Sequence, residues 1–146
     1  MLEAIKEARK AAEEDEVPVG AVIVHNGKII GRGHNQVERL KDPTAHAEML
    51  AITSAAGFLD TKWLSQATAY VTIEPCGMCA GAFVLARIKN LVYGAADPKA
   101  GACGSVTNVI NNKGLNHRIK VEKRILEEEC GLLLKDFFKG KRKRRR

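Results

Sequence analysis

The chain has 146 residues, 45% of them apolar and 28% charged, which is the size and balance of one ordinary domain with a single hydrophobic core. No apolar run reaches the roughly 18 to 20 residues that span a bilayer, and residues 1–7 mix charged with apolar side chains as no secretory signal does, so a cytoplasmic protein without a membrane segment is expected. The net charge of +7 is not spread over the body: the last eight residues, 139–146, hold seven of the 24 basic residues, and the remaining 17 balance the 17 acids. The pattern then alternates helix and strand. Leu2, Ile5, Ala8 and Ala12 recur at helical spacing and predict an amphipathic helix over 1–15. A β-branched strand follows at 17–24, His25-Asn-Gly-Lys28 supplies a tight hairpin turn, and a second strand runs over 28–34. Residues 35–43 are polar and read as loop. A helix over 44–57 has Thr44 placed to cap it and Gly57 to stop it. A strand at 67–73, a turn at Glu74-Pro75, a helix at 77–88 and a short buried strand at 90–94 come next. Residues 97–116 read as glycine-containing loop, 117–121 as a last strand, and 125–138 as a helix with Leu126, Cys130, Leu133 and Phe137 along one face.

Such alternation predicts an α/β fold, a three-layer α/β/α sandwich around a mixed central sheet. With no repeat and no linker, residues 1–138 form a single domain, and the block 139–146 is expected to be a basic, disordered tail of the kind that meets nucleic acid.

Cys76 and Cys79 form a Cys-x-x-Cys pair, which in a chain without an export signal points to metal or redox chemistry rather than to a disulfide framework. His46-Ala-Glu48 and Pro75-Cys-Gly-Met-Cys79 each open a predicted helix. Imidazole nitrogen and thiolate sulfur are donors that zinc prefers, and the positive end of a helix favours the thiolate. One His and two Cys make three ligands, leaving a fourth position for water that the metal can deprotonate near neutral pH. The spare candidates His25, His34, His117, Cys103 and Cys130 lack the spacing of a second ligand pair, so an open, catalytic site is favoured. Glu48 stands two residues from His46, near enough to move protons for that water without ligating the metal. Positions i and i+2 of a helix face opposite ways, so this geometry requires the metal at the helix end, not beside it.

His-x-Glu followed by Pro-Cys-x-x-Cys is the general signature of the zinc nucleobase deaminases. The chain closely resembles the tRNA-specific adenosine deaminases, the TadA family of the cytidine deaminase superfamily, from about Glu16 to Phe138. The matching stretches are Glu16-Val-Pro-Val-Gly-Ala21, Asp42-Pro-Thr-Ala-His-Ala-Glu48 and Glu74-Pro-Cys-Gly-Met-Cys-Ala-Gly-Ala82, with Gly94-Ala-Ala-Asp97, Gly101 to Ser105, Asn116-His117 and Asp136-Phe-Phe138 beyond them. The resemblance implies a cytidine deaminase-like fold and adenosine-to-inosine conversion at the tRNA wobble position. It also implies one zinc per subunit on His46, Cys76 and Cys79, and Glu48 as proton shuttle. Asn35 would contact the purine, Val19 would pack near the base, Asp97 and Lys99 would border the RNA, and Phe138 with the following tail would hold the anticodon stem-loop. A homodimer is implied as well. Cys103 stands where the family more often has alanine. Two other readings compete: a deaminase of a free base or nucleoside such as guanine, whose enzymes can share residues 42–48, and a non-catalytic zinc module, which would need a fourth protein ligand.

Overall fold

The computed structural model describes all 146 residues. Its elements are α1 (Leu2–Glu13), β1 (Gly20–His25), β2 (Lys28–His34), α2 (Val37–Leu40), α3 (Ala47–Leu59), β3 (Thr68–Ile73), α4 (Gly77–Leu85), β4 (Asn90–Ala95), β5 (Lys120–Glu122) and α5 (Glu127–Arg145). Five strands form one sheet in the order β2-β1-β3-β4-β5. The β1–β2 hairpin turns on Asn26 and Gly27, both at positive φ (50° and 74°), the conformation whose twist suits paired strands. β3 pairs antiparallel with β1 but parallel with β4, and β5 adds parallel to β4, so the sheet is mixed as expected.

α1 and α5 pack on one face of the sheet, α3 and α4 on the other. Alternation within the strands assigns the faces: Ala21 opposite Gly33 and Ile23 opposite Gly31 turn towards α3, whereas Val22 and Arg32 turn towards α1. α3 lies unusually close to its strands because Ala47, Ala51 and Ala55 meet glycines there. A Cβ on Gly33 would fall far inside van der Waals contact with the Ala47 carbonyl. The main core is completed by Phe83 of α4, Leu91 of β4 and the loop residues Leu64, Ile88 and Ile110, all fully buried.

Several boundaries differ from the sequence reading. β1 starts at Gly20, because the Val19 amide turns back to the Val17 carbonyl (2.8 Å) in place of a strand partner. Part of the expected loop 35–43 forms α2, whose first amides, those of Glu38 and Arg39, donate to the buried carboxylate of Glu16 (3.2 and 2.7 Å). α3 starts after His46, not at Thr44, because the Thr44 hydroxyl and amide are turned back to Asp42 (2.7 and 2.8 Å). It also passes Gly57 and stops at Asp60, which takes the left-handed conformation (φ 53°). α4 ends at Leu85, and β5 starts three residues later than expected.

The largest difference is at the C-terminus. The block 139–146, expected to be disordered, continues α5 as helix to Arg145. Cations suit the negative end of a helix, and Lys141 and Arg144 reach Asp15 beyond α1 (2.6 and 3.3 Å).

Candidate metal centre and substrate cleft

Two helix N-termini converge on one point beyond the ends of β2 and β3. His46 is the N-cap of α3 and Cys76 the N-cap of α4, both extended (ψ 151° and 175°), while Cys79 lies in the first turn of α4. Because His46 is extended and Glu48 helical, the two side chains escape the opposition that a continuous helix would impose, and the ion site falls at the helix end as the spacing demands. The α3 terminus is held from outside: Asn35, just past β2, accepts the Ala47 amide on Oδ1 at 2.8 Å. That bond leaves the Asn35 amide NH2 free at the cleft surface.

His46 Nδ1 is 3.6 Å from Cys76 Sγ and 3.5 Å from Cys79 Sγ, and the three donor atoms all lie within 4.8 Å of one another. A tetrahedral zinc with ordinary Zn–N and Zn–S lengths separates nitrogen from sulfur by about 3.6 Å. The donor set therefore fits that ion in both identity and spacing, and it can hold a metal. No fourth ligand-bearing side chain joins the set. His34 sits between Glu7 and Glu14, His117 bonds the Ile88 carbonyl, and Cys130 packs in the small cluster with Ile5 and Ala95.

In the protein without metal the three groups share protons. The Cys76 thiol is pulled down to about 3, first by the hydrogen bond from Cys79 and then by His46. Cys79 is pushed well up, by that same bond and by burial. His46 is raised by its hydrogen bond to Cys76, against the opposing effect of burial. Glu48 lies beneath, 3% exposed, with its carboxyl against the Cys79 thiol; burial raises its pKa above the ordinary carboxylate value. A buried carboxyl with a raised pKa can accept a proton and give it back.

The metal-ligand turn opens into a cleft of ≈ 910 Å³. His46 and Asn35 are on its floor, and its walls carry Glu14, Asp15, Glu16, Val17, Val37 and Glu38 together with Lys99, Phe137, Phe138, Lys141, Arg142 and Arg145. Asn35, Lys99 and Phe138, to which the resemblance assigns the substrate, thus line one cleft with His46. Val19 is in the core at 6% exposure, and its neighbour Val17 lines the cleft instead. Asp97 does not line it; its Oδ1 closes a turn by accepting the amides of Lys99 and Ala100 (3.0 and 3.2 Å).

Sequence reasoning passed over two acids. Glu16 anchors α2 on the cleft wall, as described above. Glu74, read as part of a turn and of a matching stretch but given no role, is 1% exposed and accepts the backbone amides of Asp97, Cys103 and Ser105 (3.2, 3.0 and 3.2 Å) and the Ser105 hydroxyl. Burial by itself would raise its pKa, but Ser105 and these amides outweigh that and hold it below the usual value. The available signal was an acid wedged between a buried strand and a metal-ligand turn.

Comparison with known proteins adds the following. The sequence profile of the MafB19-like deaminase family matches residues 1–142. The chain is 51% identical, over its full length and 91% of the relative, to the tRNA-specific adenosine deaminase of Bacillus subtilis (strain 168). A solved structure from studies of A-to-I editing by tRNA:A34 deaminases at the wobble position superposes with a TM-score of 0.87 at 44% identity, covering 90% of this chain and 95% of that one. A guanine deaminase from Nitrosomonas europaea superposes with a TM-score of 0.80 at 26% identity, covering 92% and 80%.

Proposed function

The chain belongs to the MafB19-like deaminases and, among them, to the tRNA-specific adenosine deaminases; on that premise we propose that it converts adenosine to inosine at the wobble position of tRNA, consuming water and releasing ammonia. One observation carries the RNA substrate. The cleft that His46 lines sets Lys99, Lys141, Arg142 and Arg145 beside Glu14, Asp15, Glu16 and Glu38, and three of those cations belong to the block 139–146 that holds the whole net positive charge of the protein. Phosphate oxygens match those cations, and a free base carries none.

His46, Cys76 and Cys79 hold one zinc per subunit, a reading supported by their donor types and spacing. When bound, zinc supplies the Lewis acidity that makes water nucleophilic near neutral pH. Glu48 is the proton shuttle: as the oxygen of water bonds to C6, its proton passes to Glu48 and then to the ring nitrogen N1. The remaining hydroxyl proton follows the same carboxylate to the amine, the C6–N bond breaks, and ammonia leaves. Asn35 orients the purine with the amide NH2 that its bond to Ala47 leaves free, and Val19, 6% exposed, packs near the base. Lys99, Phe138 and the basic end of α5 grip the anticodon stem-loop, while Asp97 shapes the loop that carries Lys99. The target base must leave its stack to reach the floor, which an anticodon loop permits at low cost.

The protein acts as a homodimer in the cytoplasm. Phe58 on α3 and Met78 and Leu85 on one face of α4 are exposed apolar side chains that a second copy could cover, and no helix is long and apolar enough to cross a membrane. Residues 1–138 are the deaminase domain, with 139–146 as its RNA-gripping extension.

Deamination of free guanine is the competing reading, given the likeness to guanine deaminases. Inosine formation in an anticodon stem-loop, measured beside turnover of free guanine, adenosine and cytosine, separates the two. Inosine only in the RNA is expected. Turnover of guanine with an inert stem-loop would overturn the tRNA reading.

A further inference from the structure

Glu74 is a fully buried carboxylate that no chemical step uses, although it is two residues from a metal ligand. What surrounds it is a single loop. Its Oε1 receives the amide of Asp97 and the hydroxyl of Ser105; its Oε2 receives the amides of Cys103 and Ser105. Both oxygens and all four donors are thus committed to residues 97–105. The loop is pulled in so tightly that a Cβ on Gly101 would collide with the carboxylate. Two backbone attachments lie beside it: the Ala102 amide donates to the Pro75 carbonyl (2.8 Å), and Gly101 pairs with Cys76. The other bonds of this stretch are mostly its own turns, Asp97 to Gly101, Gly101 to Val106 and Thr107, and Gly104 to Thr107. Ala102 and Cys103 pack into the main core, and Glu74 is the only side chain outside the loop that hydrogen-bonds to it. At the loop's outer edge, exposed Lys99 lines the same cleft as Glu16 and Val17.

We infer that Glu74 is a positioning residue for RNA binding: it fastens the 97–105 loop so that Lys99 faces the cleft, and it serves affinity for the substrate, not the chemistry on it. A carboxylate suits this place because two oxygens accept four hydrogen bonds with no donor of their own. A glutamine would present an NH2 to at least one backbone amide and push the loop outward. The inference rests on the reading of Lys99 as an RNA contact.

A double-mutant cycle tests it, with zinc-loaded full-length protein and an anticodon stem-loop. Lys99→Ala alone should raise the Kd about fivefold, as loss of one phosphate contact does. Glu74→Gln should raise it at least as much, with zinc content unchanged and the single-turnover rate at saturating RNA within about twofold of wild type. In the double variant the Lys99 change should add almost nothing. Ser105→Ala, which removes one donor and leaves the carboxylate, should move Kd in the same direction by less, and its own cycle with Lys99→Ala replaces the first if Glu74→Gln does not fold. Additive effects of Glu74 and Lys99 would overturn the inference. So would loss of zinc or of single-turnover rate in Glu74→Gln, which would place its role at the metal centre, or a lower Tm with Kd unchanged. If Lys99→Ala alone leaves Kd unchanged, the RNA role of Lys99 fails instead, and the inference falls with it.

Discussion

The floor and the wall of the cleft are built by different physics. On the floor, His46, Glu48, Cys76 and Cys79 are carried by two helix N-termini, seated against the sheet by alanines on glycines and by the Asn35 bond to Ala47. Every donor there is buried or half-buried, and its position is set by backbone that cannot shift without opening the core. On the wall, Lys99 and the cations of α5 project from a loop and from the last turns of a helix. The tail is tied down there by exposed ion pairs to Asp15 that water and salt weaken. Chemistry needs the first kind of construction, because a proton shuttle tolerates little displacement. Binding a flexible polyanion needs only the second.

Changes at the floor should therefore be large and chemical, and changes at the wall small and salt-dependent. The largest effect is expected from Glu48→Ala: about 10²–10⁴-fold slower single-turnover deamination, with zinc and RNA still bound. A variant that kept its rate would remove Glu48 from the mechanism. Next, zinc affinity should rise by at least tenfold per pH unit between about pH 6 and pH 8, because Cys79 keeps its proton in the metal-free protein and must release it to ligate, and more steeply at the acid end, where His46 with its raised pKa must release one too, whereas Cys76 is already a thiolate. Competition with a chromogenic chelator measures this; a flat profile would show that Cys79 is not a ligand. Gly33→Ala should cost about 1–3 kcal/mol of stability by chemical denaturation and lower the catalytic rate, since the added methyl pushes the start of α3 off β2 and carries His46 and Glu48 with it.

Wall changes follow. Deleting residues 139–146 should leave the single-turnover rate on saturating RNA intact, weaken binding, and reduce the slope of log K against log salt by about 2, from three cleft-lining cations at roughly 0.7 each. An unaltered slope would mean that the tail does not meet the RNA. Asp15→Asn, which frees the tail without removing a cation, should shift KM by less than about twofold, with the shift vanishing at high salt. A larger effect would mean that the tether, not the charges, organises the wall.

Much of the floor was legible because its signals are local. His46-Ala-Glu48 and Cys76-Gly-Met-Cys79 are each four residues or fewer, and donor chemistry with helix-start spacing suffices to propose the ion. β2 lies where the sequence placed it, at Lys28–His34, since the Asn26-Gly27 hairpin turn that launches it is also a near-neighbour property. The errors lie where a distant partner decides. Thr44 is a sound cap in isolation, but Asp42 takes its hydroxyl and Asn35 supplies the α3 terminus from another element. The sequence singles out Val19 and not Val17, and only the packing buries Val19 and exposes Val17 to the cleft. A run of arginine and lysine reads as disorder until Asp15 and the cleft edge give it a partner.

Residue order by itself determined the layered mixed sheet, the three metal donors and the acid beside them, because periodicity, turn chemistry and ligand spacing act over a few residues. Only the tertiary structure decided which side chains face the cleft, that Glu74 gathers the loop bearing Lys99, and that the basic C-terminus lies along the site. Those outcomes depend on contacts between segments 20 to 126 residues apart, and no local pattern records which distant backbone amide a buried carboxylate will meet.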